Sequence, residues 1–133
     1  MAIFDTFGIA GSGLMTHRKW LDAVSDNIAN VNTVKRTDED AFQQRMVVAE
    51  AVDYGSGGGV RVSRAEFGNP EGRLVHQPDH PLADAEGYVK YPDIDLGDQM
   101  TQMIMAQRGY QANLAIVERA TNAYQAALQL GKG

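Results

Sequence analysis

The residues best suited to chemistry lie in the stretch HQPDHPLAD, at positions 76–84. Its histidines and carboxylates are ligand types of zinc and non-haem iron sites: His76, Asp79, His80 and Asp84. Prolines interrupt the stretch, so no helix can present these side chains as a ligand pair. A turn-rich loop explains the stretch better than a metal site, and no metal is expected to bind there.

Two glycine-rich stretches resemble phosphate-binding loops only loosely. GSGGGV, at residues 55–60, lacks the lysine and the Ser/Thr of a P-loop, so it is better explained as a flexible hairpin connection. GIAGSGL, at residues 8–14, fails the G-x-G-x-x-G spacing because Thr16 occupies the last position. Cysteine is absent, and no arrangement of serine, histidine and aspartate supports a catalytic site. The sequence predicts neither enzyme activity nor a cofactor.

The composition of the 133-residue chain is ordinary for a soluble domain, with 44% hydrophobic and 22% charged residues. A net charge of −5 leaves no basic footprint for nucleic acid and no polybasic stretch for an anionic membrane. No apolar run approaches the roughly 20 residues that cross a bilayer. The N-terminal residues lack a basic region and are interrupted by Asp5, so no cleaved secretory signal is expected. Taken alone, this predicts a cytoplasmic protein.

Apolar periodicity predicts a first helix over about residues 7–31. Two sets of positions spaced by seven residues build an a/d seam: Phe7, Leu14, Leu21 and Ile28, then Ala10, His17, Val24 and Val31. His17 is the one polar member, and a polar seam residue more often sets helix register than binds a metal.

A stronger pattern predicts a second helix over about residues 95–130, which would be roughly 50 Å long. Its large-residue stripe alternates spacings of four and three: Leu96, Met100, Met103, Gln107, Tyr110, Leu114, Val117, Thr121, Tyr124 and Leu128. Such a rod is too long for the core of a compact domain of this size. A coiled coil with a partner is therefore expected.

A small-residue stripe runs one position away along the same helix: Ala106, Gly109, Asn113, Ile116, Ala120, Ala123 and Ala127. Only six charged side chains lie between Ile94 and Gly133, whereas an exposed helix normally carries a charged outer face. We expect this helix to be covered on more than one side in its working state. An alanine-rich surface selected for helix propensity is the alternative.

Short β-branched or alternating runs at residues 45–52 and 59–67, separated by residues 53–59, predict strand, turn and strand. Residues 68–92 contain all four prolines and predict turns around an irregular extended strand. The expected fold is mainly α with a small β insert. Its terminal helices (residues 1–33 plus 94–133) form a coiled-coil domain around a β-rich and turn-rich insert at residues 34–93.

Signature stretches at both ends resemble those of the axial proteins of the bacterial flagellum. SGLMTHRKWLDAVSDNIANVNT, at residues 12–33, matches that family's Ser-Gly-Leu, basic, Leu-Asp and Asn-Ile-Ala-Asn-x-Asn-Thr pattern. MTQMIMAQRGYQAN, at residues 100–113, resembles its Met-Ile-x-Ala-x-Arg-x-Tyr-Gln-Ala-Asn run. PDHPLADAEGYVKYPDIDLGDQM, at residues 78–100, is similar to the small proximal-rod members. On these motifs the chain is identified as a member of the flagellar basal-body rod family.

The sequence departs from the family pattern in two places. After Thr33 the stretch VKRTDEDAFQQRMVV lacks the usual proline and is partly acidic. Gln99 stands where the family often has an acidic residue before the C-terminal methionine.

The resemblance implies a structural, non-enzymatic subunit that the flagellar type III apparatus exports unfolded, without a cleaved signal peptide. It implies assembly in the periplasm, with copies of itself and other rod proteins, into the axial tube that joins the membrane ring to the hook and transmits torque. That location replaces the cytoplasmic expectation. No nucleic acid, cofactor or direct membrane insertion is implied. A cytoplasmic coiled-coil adaptor or chaperone is the alternative; it would share the heptads but needs neither the β insert nor both end motifs.

The expected assembly interface combines seam and signature positions of both helices: Leu14, Leu21, Asn27, Ile28, Asn30, Asn32, Met100, Met103, Arg108, Tyr110, Gln111, Asn113, Leu114, Val117, Tyr124 and Leu128. Asn27 and Asn30 adjoin seam residues, so their amides are expected to bond to the backbone of a neighbouring helix and fix its register. Asn32 suits the left-handed conformation that often closes a helix.

Overall fold

The computed structural model describes residues 2–55 and 57–132. Along the chain its elements are α1 (Ala2–Ala29), β1 (Arg45–Asp53), β2 (Gly58–Phe67), β3 (Arg73–His76), β4 (Tyr88–Tyr91) and α2 (Leu96–Lys132). Long helices at the ends therefore flank a small β region, which confirms the predicted fold class.

The helix α2 has well-defined signals at both ends. Asp95 accepts a hydrogen bond from the backbone N–H of Asp98 at 3.0 Å, as an N-cap residue does. Asp98 in the first turn and Lys132 in the last turn both complement the helix dipole. With 37 residues, α2 spans roughly 55 Å.

The end of α1 is closed by side chains. The amide of Asn30 donates to the carbonyl of Asp26 at 2.9 Å, and the Thr33 hydroxyl donates to Asn30 Oδ1 at 3.1 Å. Every described non-glycine residue has a negative φ, so the prediction that Asn32 closes the helix in a left-handed conformation is wrong. The Asn30 amide satisfies a terminal carbonyl that a left-handed turn would otherwise have to cover. At its other end α1 begins at residue 2, earlier than the predicted residue 7.

The hairpin of β1 and β2 confirms the predicted strand, turn and strand. Its turn closes through the N–H of Tyr54, which donates to the Gly57 carbonyl at 2.8 Å. Gly55 takes a φ of 80°, which favours glycine, and its N–H donates to Asp53 Oδ1 at 2.8 Å. The glycine-rich connection is therefore a tight turn.

The hairpin of β3 and β4 was predicted only as an irregular extended strand, and that prediction is incomplete. The two strands pair antiparallel, with Leu74 opposite Lys90 and Val75 opposite Val89. Val89 is completely buried. Gly72 lies just before β3 at a φ of 62°, and a Cβ there would overlap the Tyr91 carbonyl. Because each strand has only four residues and prolines lie nearby, alternation in the sequence is too short to predict the pairing.

The chain forms two compact units. The first comprises Met1–Leu21, Val48–Arg64 and Ile104–Gly133, and the second comprises Asp22–Val47 and Ala65–Met103. In the first unit the buried apolar side chains are alanines, namely Ala10, Ala106 and Ala120. In the second unit they include Ala23, Val24, Ala41, Val89 and Ile94.

Asp84 organises the loop that leads into β4. Its carboxylate accepts the backbone N–H groups of Tyr88 at 2.8 Å and Glu86 at 3.0 Å, and the Thr37 hydroxyl at 3.0 Å. The hydrogen bond from Tyr88 is the main reason that the pKa of Asp84 is lowered, with Thr37 adding to it. Asp84 therefore acts as a turn-forming residue in this loop.

We expect Asp84 to make the loop sensitive to acid. A carboxylate whose pKa is lowered on folding stabilises the folded state above its unfolded pKa of about 3.9, and that stabilisation is lost as the pH falls below it. Wild-type protein should therefore lose more stability between pH 5 and pH 3 than Asp84→Asn, which keeps an acceptor oxygen but cannot be protonated. Urea unfolding at each pH measures this, and equal losses would contradict it.

Candidate assembly interface

In the first unit, α1 and α2 run antiparallel and approach closely. The rings of Phe4 and Tyr124 meet edge to face with centroids 6.0 Å apart. Farther along, a Cβ added to Gly13 would lie 2.7 Å from Asn113 Cγ, and one added to Gly109 would overlap the ring of His17. Each helix thus places a glycine beneath a polar side chain of the other.

The two polar side chains at this crossing, His17 and Asn113, each make a hydrogen bond to a backbone carbonyl of their own helix. His17 Nδ1–H donates to the Gly13 carbonyl at 2.7 Å, since a carbonyl can only accept. The Asn113 amide donates to the Gly109 carbonyl at 2.8 Å in the same way, four residues back. The pairing fixes helix register, because sliding either helix would bring a residue with a Cβ under the imidazole or the amide.

This approach decides which stripe of α2 faces α1. Ala106 and Ala120, from the small-residue stripe, are buried, and Asn113 between them is half-buried. The large-residue stripe lies to one side: Leu114 is 38% exposed, and Leu128 is 49% exposed. Small side chains allow the backbones to come close at these positions, while the large-residue stripe is buried only in part.

In the second unit, Asn27 is the centre of a hydrogen-bond network with Arg45 and Gln99, which we call the buried joint. Its side chain is completely buried, and Nδ2 donates to the carbonyl of Arg45 and to Gln99 Oε1, both at 2.9 Å. Its Oδ1 accepts the Arg45 N–H at 2.8 Å. The Asn27 amide therefore pairs with both backbone groups of Arg45 as a neighbouring strand would. It attaches the start of β1 to the end of α1.

Gln99 completes this joint and was not predicted as a site residue. It is completely buried, and its Nε2 has no hydrogen-bond partner among the described residues. The only sequence signal was the departure from an acidic residue at this position. Asp26 adds an ion pair to Arg45 at 2.5 Å on the exposed side, where such pairs contribute little.

The expected interface residues divide into three groups. Asn27 is buried within this chain, and its amide bonds to β1 and to Gln99 where a helix backbone had been expected. Half-buried are Leu14, Leu21, Ile28, Asn30, Met103, Tyr110, Asn113 and Val117. Exposed are Asn32, Met100, Arg108, Gln111, Leu114, Tyr124 and Leu128. The structure thus leaves most of the α2 positions accessible to another molecule.

The histidines and carboxylates of residues 76–84 serve the loop instead of converging on one point. His76 stacks edge to face on Tyr88 with centroids 5.0 Å apart, and His80 Nδ1 accepts the Leu82 N–H at 3.0 Å. Residues 2–55 and 57–132 contain no group of three or more His, Cys, Asp or Glu side chains that could hold a metal ion. In that same part of the chain, no helix is long and apolar enough to cross a membrane.

Comparison with protein families gives two matches. Residues 7–35 match the family described as flagella basal body rod protein. Residues 85–130 match the family described as flagellar basal body rod FlgEFG protein C-terminal. These ranges lie on α1 and α2 with their flanking segments.

Individual proteins are similar along their whole length. The flagellar basal-body rod protein FlgC of Salmonella typhimurium is 36% identical over 99% of this chain and 100% of its own. Borreliella burgdorferi FlgC is 32% identical over 100% of both chains. Bacillus subtilis FlgC is 27% identical over 99% of this chain and 100% of its own.

Gly109→Ala should lower the free energy of unfolding by about 1–3 kcal/mol, because the new methyl group would overlap the His17 ring. Gly8→Ala is the matched control, since a Cβ at Gly8 meets no atom within 4 Å. That control should raise stability by about 0.5–1 kcal/mol. Urea unfolding followed by circular dichroism compares them. If both variants unfold at the same urea concentration, the helices do not touch at Gly109.

Asn27→Ala should lower the free energy of unfolding by about 2–3 kcal/mol, because it removes the hydrogen bonds to both backbone groups of Arg45 and leaves the buried Oε1 of Gln99 without its partner. Asn30→Ala removes an amide of the same type that bonds locally, and should change stability by about 0.5 kcal/mol or less. The same urea titration measures both. A small effect at Asn27 would contradict the buried joint.

Proposed function

The chain belongs to the flagellar basal-body rod proteins of the FlgC type and is a structural subunit of the rod, and we propose that it assembles through the faces of α1 and α2 that its own fold leaves uncovered. Family membership rests on the full-length similarity to FlgC proteins. The proposal about the faces rests on which side chains remain exposed.

The observation that carries the proposal is the exposed apolar surface of α2. Large side chains accessible to solvent follow the helix from one end to the other: Leu96, Met100, Ile104, Met105, Leu114, Ile116, Tyr124, Leu128 and Leu130. Such a surface on one protein favours association with another. From residue 122 onward every described position of α2 is exposed, although Tyr124 still contacts Phe4.

A rod subunit needs contacts that propagate without closing. Contacts between different faces of identical or similar subunits build an open helical filament when the rotation does not close a ring. We propose that the terminal helices, residues 1–33 and 94–133, provide these contacts and that residues 34–93 form a separate insert. The partners are further copies and other rod proteins, and the product is the axial tube that transmits torque.

The proposal also covers how the subunit is exported and where it assembles. We propose export by the flagellar type III apparatus without a cleaved signal peptide, followed by assembly in the periplasm. The role is non-enzymatic, in keeping with relatives whose names describe rod proteins. The alternative of a cytoplasmic adaptor or chaperone is not supported, because the similarity to rod proteins runs along the whole chain.

Leu114→Asp tests the α2 face. It places a charge in the middle of the large-residue stripe, at a side chain already 38% exposed in the chain. Expression and helix content should therefore be retained, while incorporation into basal bodies should be abolished because a buried unpaired charge is costly at an interface. Basal bodies are isolated from a host that lacks its own copy, and the subunit is quantified by immunoblot.

Arg119→Asp is the matched control, since it introduces the same side chain at an exposed α2 position that is already charged. It should incorporate at nearly the wild-type level. Incorporation of Leu114→Asp at the wild-type level would overturn the proposed use of the large-residue stripe.

A further inference from the structure

The two units of the chain carry opposite net charges. The first unit contains seven Lys and Arg residues and four Asp and Glu residues, which gives a net charge of +3. The second unit contains five Lys and Arg residues and thirteen Asp and Glu residues, which gives a net charge of −8. When two copies of the chain meet, unlike units therefore attract each other and like units repel.

Part of the negative charge of the second unit lines a groove beside the β3–β4 hairpin, which we call the acidic groove. It has a volume of about 570 Å³, and Glu71, Asp84 and Glu86 lie in its lining. Lys90 also lines it, but its ammonium group already donates to the Glu39 carbonyl at 2.8 Å. Glu71 and Glu86 are exposed, and neither forms a salt bridge within the described part of the chain. Both carboxylates are therefore accessible to a cation from another molecule.

The acidic groove also exposes apolar surface. Side chains alternate between the two faces of a strand, so Val89, which is completely buried, faces inward and Tyr88 faces outward. Tyr88 is 39% exposed, and Leu74, which also lines the groove, is 62% exposed. A lysine or arginine fits such a surface, because its aliphatic stem packs on apolar groups while its charged head reaches a carboxylate. The ring of Tyr88 also attracts a cation placed over its face.

The first unit has one pair of adjacent cations, Arg18 and Lys19, which we call the basic pair. Both are exposed, and neither forms a salt bridge with any residue that the structure describes. The preceding residue, His17, lies against Gly109 of α2. Each further residue of an α-helix turns by about 100° around the axis, so the basic pair points away from α2. Two positive charges are thus presented on the side of α1 that α2 leaves uncovered.

The other cations of the first unit are less suited to bind carboxylates of another molecule. Arg61 pairs with Glu50 across the β1–β2 hairpin at 2.6 Å, and Arg64 also interacts with another residue. In α2, Glu118 precedes Arg119 and offsets its charge locally. The remaining cations stand singly along the chain. The basic pair is therefore the strongest concentration of positive charge in this unit.

We propose that the acidic groove of one copy of this chain binds the basic pair of a second copy. A second copy is the occupant that the charges favour, because the same sequence supplies a unit of +3 and a unit of −8. Two different surfaces meet in this contact, so each copy keeps one free groove or one free basic pair for a further copy. This inference deepens the proposed function of rod assembly and rests on it.

The contact complements the apolar face of α2 in a specific way. Apolar burial favours association but does not by itself distinguish one orientation of two subunits from another. Opposite charges do distinguish them, since a misoriented approach brings two acidic units or two basic units together. The acidic groove and the basic pair therefore set which unit of one copy lies against which unit of the next.

Carbodiimide cross-linking of isolated basal bodies tests this contact. The reagent condenses a lysine amine with a carboxylate that it touches and leaves an amide bond without a spacer. The cross-linked dimer of the chain is separated on a denaturing gel, and its linked peptides are identified by mass spectrometry. Lys19→Arg is the matched control, because it keeps the positive charge but has no amine that can form the amide.

We expect peptides that join Lys19 to Glu71 or Glu86 in the dimer, and about tenfold less of this dimer with Lys19→Arg, since the reacting amine is then absent. A dimer without this link, or no dimer, would overturn the inference. Linkage of Glu71 and Glu86 to a different protein would overturn a second copy as the occupant. Absence of the wild-type chain from basal bodies would instead overturn the proposed function.

Charge reversal provides a second measurement. Arg18→Glu with Lys19→Glu should lower incorporation into basal bodies about tenfold, because like charges then meet at the acidic groove. Adding Glu71→Lys and Glu86→Lys to the same chain should restore incorporation to within about twofold of wild type, because every contact again pairs opposite charges. Circular dichroism confirms that each variant is folded, and immunoblotting of basal bodies quantifies it.

Asp79→Lys with Asp93→Lys is the control for net charge. Both positions are exposed in the second unit and lie outside the lining of the acidic groove, and the change in charge equals that of the groove reversal. In the otherwise wild-type chain this control should incorporate nearly normally. It should not rescue the reversed basic pair. Rescue by this control, or a folded fourfold variant that is not incorporated, would overturn the inference.

Discussion

The close approach of α1 and α2 at two glycines is the constraint on which the rest of the first unit depends. Gly13 lies under Asn113 and Gly109 lies under His17, and each polar side chain bonds to its own helix four residues back. A helical glycine costs about 1 kcal/mol relative to alanine, so these positions are favourable only because the helices meet there. With the small side chains facing inward here, Leu114 and Leu128 of the large-residue stripe stay accessible.

That arrangement links packing to function. A monomeric domain would bury its leucines and methionines and expose alanine and charge. Here the buried residues of the first unit are mainly alanines, while Leu114, Leu128 and their neighbours stay accessible. The chain thus leaves large apolar side chains of α2 accessible, which supports the proposed assembly through this helix.

The second unit depends on buried hydrogen bonds, not on a close approach of helices at glycines. Asn27, completely buried, holds the N–H and the carbonyl of Arg45 and also reaches Gln99. A buried amide with its hydrogen bonds made favours one geometry, because any shift leaves polar groups unpaired. It secures the chain where α1 gives way to the β region, and apolar contacts alone would permit sliding there. The asparagine signature of the family therefore has a structural reason within a single chain.

The sequence by itself determined the elements and the family. Periodicity predicted both helices, the β1–β2 hairpin followed from alternation on either side of a glycine-rich turn, and the motifs of residues 12–33 and 100–113 identified a rod protein. These signals are local, so they can be recognised in the order of the residues. Only the tertiary structure decided which stripe of α2 faces α1, since both stripes have the same helical spacing. The same holds for the pairing of β3 with β4, the partners of Asn27 and the hydrogen bond from Val60 to Ser12, because each depends on residues far apart in the chain coming within a few ångströms of one another.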